Sequence, residues 1–352
     1  MQLALHLAKK GAGHVSPNPM VGAVFVRNGK IIGRGYHRQY GKSHAEINAI
    51  TDAGGDVRNA TLYCTLEPCS HTDKNTPPCA QRLVREKIDR AVIATLDPNP
   101  AVNGAGVKLL RNAGIRVETG ILEDESRELN RFFNTFMILK RPYIMVKIAQ
   151  TLDGFIARNR TIQTWITRAE ARKRVHRWRS EYDAVLVGSG TLISDNPHLT
   201  VRDTVGRNPL RILIDRDLSA DPGAHFFRRS AGDRTIVFCS TNVPVKRIHR
   251  FDETESELIR IKPDKGGHLP VERIIEILYK KNVLSVMVEG GQGIFTRFLT
   301  DDLVDELRIF MASVIWGKGI HAVTAKVGLE GYCLVAVEKV SEDILLTFRR
   351  RK

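Results

Sequence analysis

The sequence predicts two α/β domains joined at residues 140–141. Three observations carry that expectation. Strand-like and helix-like segments alternate along both halves, an Arg141-Pro142 pair interrupts a helical stretch, and 352 residues suffice for two cores. Hydrophobic residues make up 42% of the chain and charged residues 26%, an ordinary globular balance.

In the first domain, β-branched runs at 21–27 and 31–36 flank Asn28-Gly29, a pair that favours a two-residue hairpin turn. A helix is predicted over 44–53, ended by Gly54-Gly55. Strands at 60–65, 90–95 and 115–118 alternate with helices at 79–86 and 107–113. Residues 122–140 read as one long helix bearing Leu122, Leu129, Phe132, Phe133 and Phe136. Pro142 cannot continue it, and the domain boundary is placed there. The second domain has predicted strands at 143–150, 184–188, 211–215, 235–239, 285–288, 306–311 and 344–348, with helices at 167–181, 271–281 and 294–299. Residues 217–233, rich in Asp, Arg, Gly and Pro, read as an exposed connection.

The net charge of +15 raises the question of nucleic acid. Residues 1–140 hold 19 Lys and Arg against 13 Asp and Glu, and residues 141–352 hold 35 against 26. The surplus is spread along the chain, so no nucleic-acid partner is expected and an anionic small substrate fits better. No apolar run approaches the ~18–20 residues of a membrane span. Residues 1–10 read as a short amphipathic helix and not a signal peptide, so a cytoplasmic location without membrane partners is expected. A homo-oligomer is left open. Five cysteines, an odd number without framework spacing, argue against a disulfide scaffold. Three of them, Cys64, Cys69 and Cys79, cluster within sixteen positions and point to metal chemistry.

His44-Ala45-Glu46, Pro68-Cys69 and Pro77-Pro78-Cys79 form the strongest local pattern. A hydrolytic zinc site needs three protein ligands and one open position for water. His44, Cys69 and Cys79 supply the three, and two thiolates balance the cation. The metal lowers the pKa of its water to about 7. Glu46 is the candidate to take the water proton and deliver it to a departing amine. Residues i and i+2 of a helix point about 200° apart, so His44 and Glu46 can serve one metal only from a helix tip. Ser43 is the expected N-cap, with His44 in the first turn. Pro77-Pro78 likewise puts Cys79 at a helix N-terminus, where free N–H groups favour a thiolate. A closed structural site would need a fourth ligand, for which Cys64 or His71 is available. The His-x-Glu and Pro-Cys combination is similar to that of zinc nucleobase deaminases, which favours catalysis.

Nine residues, 70–78, separate the two cysteines, where most such deaminases have two. With Pro17-Asn18-Pro19, Val21-Gly22, Gly35-Tyr36-His37, Thr65-Leu66-Glu67-Pro68-Cys69-Ser70-His71 and Thr76-Pro77-Pro78-Cys79, the chain resembles the bifunctional deaminase–reductase of riboflavin biosynthesis. The resemblance covers essentially the whole length. It implies a cytidine-deaminase-like α/β/α sandwich over 1–140 and a dihydrofolate-reductase-like α/β domain over 141–352. The implied partner is a phosphorylated pyrimidine, 2,5-diamino-6-(5-phosphoribosylamino)pyrimidin-4(3H)-one, deaminated to the aminouracil. Asn18, His37 and His71 look like contacts to its base or ribose phosphate. Asn18 between prolines also suits a turn, and His37 also suits a strand end. Relatives with a shorter segment after His71 leave the contacts of Asp73, Lys74 and Asn75 unassigned.

The second domain has no Gly-x-Gly-x-x-Gly after a strand. Its small-residue turns, Gly188-Ser189-Gly190-Thr191 and Gly290-Gly291-Gln292-Gly293, follow predicted strands and suit phosphates as well as simple strand-to-helix joints. Lys147 to Gly154, Trp165-Ile166-Thr167, Asp195 to Arg202 and Val288 to Gly291 resemble the family's reductase domain, which uses NADPH to convert a ribosyl to a ribityl group. By that resemblance Ala149, Trp165, Thr191, Asp195, Gly291, Gln292, Gly293, Ile294, Phe295, Thr296 and Arg297 are cofactor positions. Lys147, Gln163, Arg179, Leu199, Arg202 and Glu289 are substrate positions. Asp195 is the acidic group expected near the reacting carbon, although a cap or turn before Asn196-Pro197 is its plainer role. The basic run over 168–179 reads mostly as one solvated helix face, and Trp165 also suits a core. Two other readings are weighed. A tRNA or nucleotide deaminase with an appended binding domain predicts clustered charge and stacking aromatics, against the 7% aromatic content. A zinc-stabilised binding protein predicts no need for Glu46.

Overall fold

The computed structural model describes residues 1–70, 78–100, 102–160, 165–228, 230 and 232–351, and divides into two compact units, Met1–Lys140 and Arg141–Lys352. His71 and Gln163 lie outside the described residues. In the first unit, β1 (Gly22–Arg27), β2 (Lys30–Tyr36), β3 (Thr61–Leu66), β4 (Arg90–Thr95) and β5 (Arg116–Thr119) form one sheet in the order β2-β1-β3-β4-β5. β1 runs antiparallel to β2 and β3, and β3, β4 and β5 are parallel. Asn28 and Gly29 both take positive φ, 50° and 72°, as the two-residue hairpin turn requires.

Alternation along β1 builds the two faces. Ala23 and Phe25 pack with the helices Ala45–Asp52, Cys79–Arg85 and Ala105–Asn112, while Val24 packs with Ala4 and Leu7 of the helix Gln2–Lys9. The result is an α/β/α sandwich. The helix Ala45–Asp52 approaches β2 where a side chain is missing. A Cβ on Gly35 would lie 2.3 Å from the Ala45 carbonyl oxygen and 2.4 Å from the Ala49 nitrogen. Gly35→Ala is therefore expected to lower the stability of the first unit by about 1–3 kcal/mol, the usual cost of overpacking. Denaturant titration against the parent chain measures it, and an unchanged midpoint would exclude the close approach.

The predicted long helix over 122–140 is two helices, Glu123–Leu129 and Arg131–Leu139, parted at Asn130. Asn130 is buried, its Oδ1 accepts the Met20 N–H at 2.8 Å, and its Nδ2 donates to the Met20 carbonyl at 2.9 Å. That long-range pairing fixes a non-helical backbone, which apolar spacing cannot reveal.

The second unit carries β6 (Tyr143–Thr151), β7 (Phe155–Ala157), β8 (Ala184–Gly188), β9 (Leu210–Ile214), β10 (Thr235–Ser240), β11 (Glu257–Ile261), β12 (Ser285–Gly290), β13 (Glu306–Ala312), β14 (Ile320–His321), β15 (Tyr332–Val340) and β16 (Asp343–Arg350). Nine of these form a sheet in the order β11-β10-β9-β8-β12-β6-β13-β16-β15, and β14 pairs with β7. The seven strands from β11 to β13 are parallel, and β16 and β15 add an antiparallel edge hairpin. Their near-continuous apolar runs follow from burial on both faces. The helices Val271–Lys280 and Gln292–Thr300 cover one face. The helix Ala169–Glu181 packs on the other, where Trp178 stacks on Phe310 of β13 at 5.5 Å. β7 and β14 are too short to show a period, and β11 and β15, absent from the predicted elements, are the two edges. The described residues of the 217–233 segment are not uniformly exposed, as an exposed connection would be. Leu218, Ala220, Phe226 and Phe227 are buried, and the Arg211 guanidinium of β9 lies over the Phe226 ring at 5.7 Å.

Candidate active sites

In the first unit, the helix Ala45–Asp52 is preceded by His44 itself as N-cap, not by Ser43. The His44 backbone is extended, with ψ 167°, so its ring escapes the angular constraint that a helical i, i+2 pair would impose. Its Nδ1 lies 3.5 Å from Cys69 Sγ and 3.3 Å from Cys79 Sγ, and the ligand atoms of the three residues lie within 4.8 Å of one another. Cys69 follows β3. Cys79 opens the helix Cys79–Arg85, and its backbone N–H donates to Cys69 Sγ at 3.4 Å. The Cys79 thiol, hydrogen-bonded to the Cys69 sulfur, and the His44 ring outweigh burial and hold the Cys69 thiol down to about 4, while Cys79 is pushed upward. The pair thus forms one thiolate readily at neutral pH. Cys64 sits buried in β3 and, among the described residues, does not join this cluster.

Glu46, 3% exposed, lies beside the cluster. Burial pushes its carboxyl up to about 7, the Cys69 thiolate adds to the rise, and His44 opposes it. A carboxylate near neutrality is matched to proton transfer at physiological pH. His37 is also buried, so it is more than a strand end. Its Nδ1 lies 3.1 Å from the Ser43 carbonyl, which can only accept, so Nδ1 carries the proton. Nε2 is then the acceptor for Asn18 Nδ2 at 3.1 Å. The His37 ring meets the His44 ring edge to face at 5.4 Å. Asn18, His37 and the three-donor cluster therefore form one continuous group.

The second unit holds a cleft of about 1220 Å³ at the C-terminal ends of β8, β9 and β12. Neighbouring β8 and β12 lead to opposite sides of the sheet, β8 to β9 and β12 across β6 to β13. Such a switch point opens a crevice in α/β sheets. The two glycine turns meet there: a Cβ on Gly291 would lie 2.8 Å from Thr191 Oγ1, and one on Gly188 would lie 2.7 Å from Ile294 Cγ1. Gly190 and Gly293, with open space above them, leave backbone free for a ligand.

Lys147, Ala149, Trp165, Arg179, Thr191, Asp195, Leu199, Arg202 and Glu289 all line this cleft, as do residues 291–295 and Arg297. Thr296 does not, since its hydroxyl donates to the Gln292 carbonyl at 2.8 Å within the helix. Asp195 is neither an N-cap nor a turn residue. It ends the helix Ser189–Asp195, whose Gly and Ser content hid it from propensity. Trp165 is 65% exposed, with Arg172 over its ring at 4.9 Å, and so is no core residue.

Arg179 forms a two-point pair with Glu289, Nε to Oε1 at 2.6 Å and Nη2 to Oε2 at 2.9 Å. Burial raises the Glu289 carboxyl, but Arg179 and then Lys147 outweigh it and keep it below the ordinary value. Desolvation lowers the Lys147 ammonium, against the pull of Glu289 and Asp195. Burial raises Asp195, against a 2.7 Å hydrogen bond from Ser194 Oγ and the charge of Lys147. His176 also lines the cleft and was missed by sequence reasoning. Its Nδ1 accepts the Arg202 N–H at 3.3 Å, and burial lowers its pKa. The spacing of Arg172, His176 and Arg179 by four and three residues marks one helix face, the signal that finds it.

Residues 1–95 match the family described as the cytidine and deoxycytidylate deaminase zinc-binding region, and residues 142–346 match the RibD C-terminal domain. The riboflavin biosynthesis protein RibD of Aquifex aeolicus is 41% identical over 355 residues, covering 99% of this chain and 97% of that protein. A crystal structure from Thermotoga maritima, described as a diaminohydroxyphosphoribosylaminopyrimidine deaminase/5-amino-6-(5-phosphoribosylamino)uracil reductase, is 40% identical, with a TM-score of 0.88 over 100% of this chain and 97% of that one. Acinetobacter baumannii RibD is 32% identical with a TM-score of 0.89, over 100% and 98%. Among the described residues no helix is long and apolar enough to cross a membrane. The chain belongs to the RibD family of bifunctional riboflavin biosynthesis enzymes, with a deaminase domain followed by a reductase domain.

Proposed function

We propose that residues 1–140 are a zinc-dependent deaminase acting on the phosphorylated diaminopyrimidine, and that residues 141–352 reduce its ribosyl group with NADPH. The observation that carries the first half is the meeting of one imidazole and two thiols beside a buried carboxylate. That donor set, borderline nitrogen with soft sulfur and three ligands among the described residues, fits catalytic zinc. Zinc bound by His44, Cys69 and Cys79 supplies a Lewis acid that makes water acidic near pH 7. Glu46 takes the water proton and passes it to the departing 2-amino group. Asn18 and the Nε2 side of His37 offer polar contacts to the pyrimidine or its ribose phosphate.

In the second half, NADPH supplies a hydride when bound. The glycine turns around Thr191 and Gly291 are the surfaces for its phosphates, with Trp165 exposed for stacking. Asp195 and Lys147, which line the same cleft, move protons as the ribose opens and its C1′ is reduced. Arg202 suits the substrate phosphate through its guanidinium fork. Arg179 does so less directly, since Glu289 already occupies its fork.

The test is incubation with the diaminopyrimidine ribotide, with and without NADPH, following ammonia release and product mass. Ammonia without NADPH, and a ribityl product only with it, is the expected result. Chelation is expected to stop ammonia release alone; a reductase that also fails on authentic aminouracil ribotide would contradict separate sites.

A further inference from the structure

Two residues before Cys69, Glu67 does something that neither proposed reaction uses. The helix Ala105–Asn112 starts after Gly104, which has no side chain to cap it, and carries no acidic residue in its first turn. Its free N–H groups are met instead by Glu67, 3% exposed. Oε1 accepts Gly106 N–H at 2.8 Å and Val107 N–H at 3.1 Å, and Oε2 accepts Gly104 N–H at 2.9 Å and Asp97 N–H at 3.1 Å. Both oxygens are thus spent on four backbone donors, the work an N-cap side chain does within its own helix.

The same contact is sterically tight. A Cβ on Gly106 would lie 2.1 Å from the Pro68 carbonyl oxygen, so the helix N-terminus presses directly on the Pro68-Cys69 peptide. On its other side, the Glu67 N–H donates to the Thr95 carbonyl at the end of β4, at 3.0 Å. The Cys69 carbonyl accepts Ala80 N–H at 3.1 Å. The three residues Glu67-Pro68-Cys69 are therefore held from β4, from one helix start and from another.

We propose that Glu67 is a positioning residue for the candidate metal centre, its carboxylate clamping the helix Ala105–Asn112 onto the Pro68-Cys69 peptide and so fixing where Cys69 presents its sulfur. The inference rests on Cys69 being a ligand. Glu67→Gln keeps the length of the side chain but turns an amide NH₂ toward backbone N–H donors, so one pair of hydrogen bonds is lost.

The full-length chain, loaded with Co²⁺ in place of zinc, reports ligand geometry through its visible d–d bands and its thiolate-to-cobalt charge-transfer band. Glu67→Gln is expected to change that spectrum and to weaken zinc binding roughly 10–100-fold, the usual effect of disturbing a group that orients a ligand. Deaminase kcat should fall more than KM changes. Reduction of aminouracil ribotide by the same preparation should be unchanged. Gly106→Ala, with Glu67 intact, displaces the same peptide from the helix side and should alter the cobalt spectrum in kind, and Glu67→Asp should restore part of the Gln loss. Lower thermal stability with an unchanged spectrum and zinc affinity in Glu67→Gln and Gly106→Ala would overturn the proposal. Cys69→Ser separates the two levels of the argument. If the parent shows no thiolate band, or Cys69→Ser leaves it intact, the ligand reading itself fails and this inference with it.

Discussion

Glu46→Gln is expected to keep the metal and lose deamination by roughly 10²–10⁴-fold, the share that a positioned acid–base group contributes. The amide has the shape of the carboxyl and fills the same buried space, so His44, Cys69 and Cys79 keep their arrangement. It cannot take a proton from water or hand one to the amine. Metal analysis and ammonia release on one preparation decide the matter, since substantial turnover in a zinc-loaded Gln variant would remove Glu46 from its role. The chelated chain offers a second readout. Burial raises Glu46 from 4.5 to about 7, so the unfolded state loses its proton first as pH rises. Between those values the native state binds more protons, and stability falls with rising pH. Glu46→Gln should flatten that slope, whereas bound zinc should oppose it by favouring the carboxylate.

Asp195→Asn is expected to spare deamination and slow NADPH-dependent reduction by about 10²-fold or more. Asp195 lines the cleft with Lys147, and burial holds its carboxyl above the ordinary value while Lys147 is held below its own. Two groups pushed toward each other in this way can exchange protons with the opening ribose. Asn keeps the size and the bond from Ser194 but removes the titration. Single-turnover NADPH oxidation on authentic aminouracil ribotide measures the step. A normal rate would leave Asp195 as the end of the helix Ser189–Asp195 and no more. Asparagine should also raise the difficulty of protonating Lys147, because a neighbouring negative charge is gone.

Much of the first site was legible because its chemistry is local. His44-Ala45-Glu46, Pro68-Cys69 and Pro78-Cys79 each sit at a helix start or strand end that proline, capping and alternation mark in the chain itself. The misreading of the cap shows the limit. Whether Ser43 or His44 is the last extended residue depends on the Ser43 carbonyl accepting from His37, a contact across six positions. Asn130 makes the same point over 110 positions, where a bond pair to Met20 divides an otherwise unbroken helical pattern.

The sequence by itself determined the α/β alternation, the hairpin at Asn28-Gly29 and the donor types at the candidate metal site. Periodicity, turn chemistry and ligand identity are properties of neighbouring residues. Only the tertiary structure decided which sites those residues serve. Glu289 and Arg179 are paired because β12 and a helix 110 residues earlier face one crevice. The cleft lies at β8 and β12 because the sheet order reverses there. Within residues 217–233, Leu218, Ala220, Phe226 and Phe227 are buried although the composition around them is polar. Glu67 caps a helix 37 to 40 positions away because β3 and β4 are adjacent and parallel. In each case the partner is set by burial and strand order, which composition and spacing along the chain do not encode.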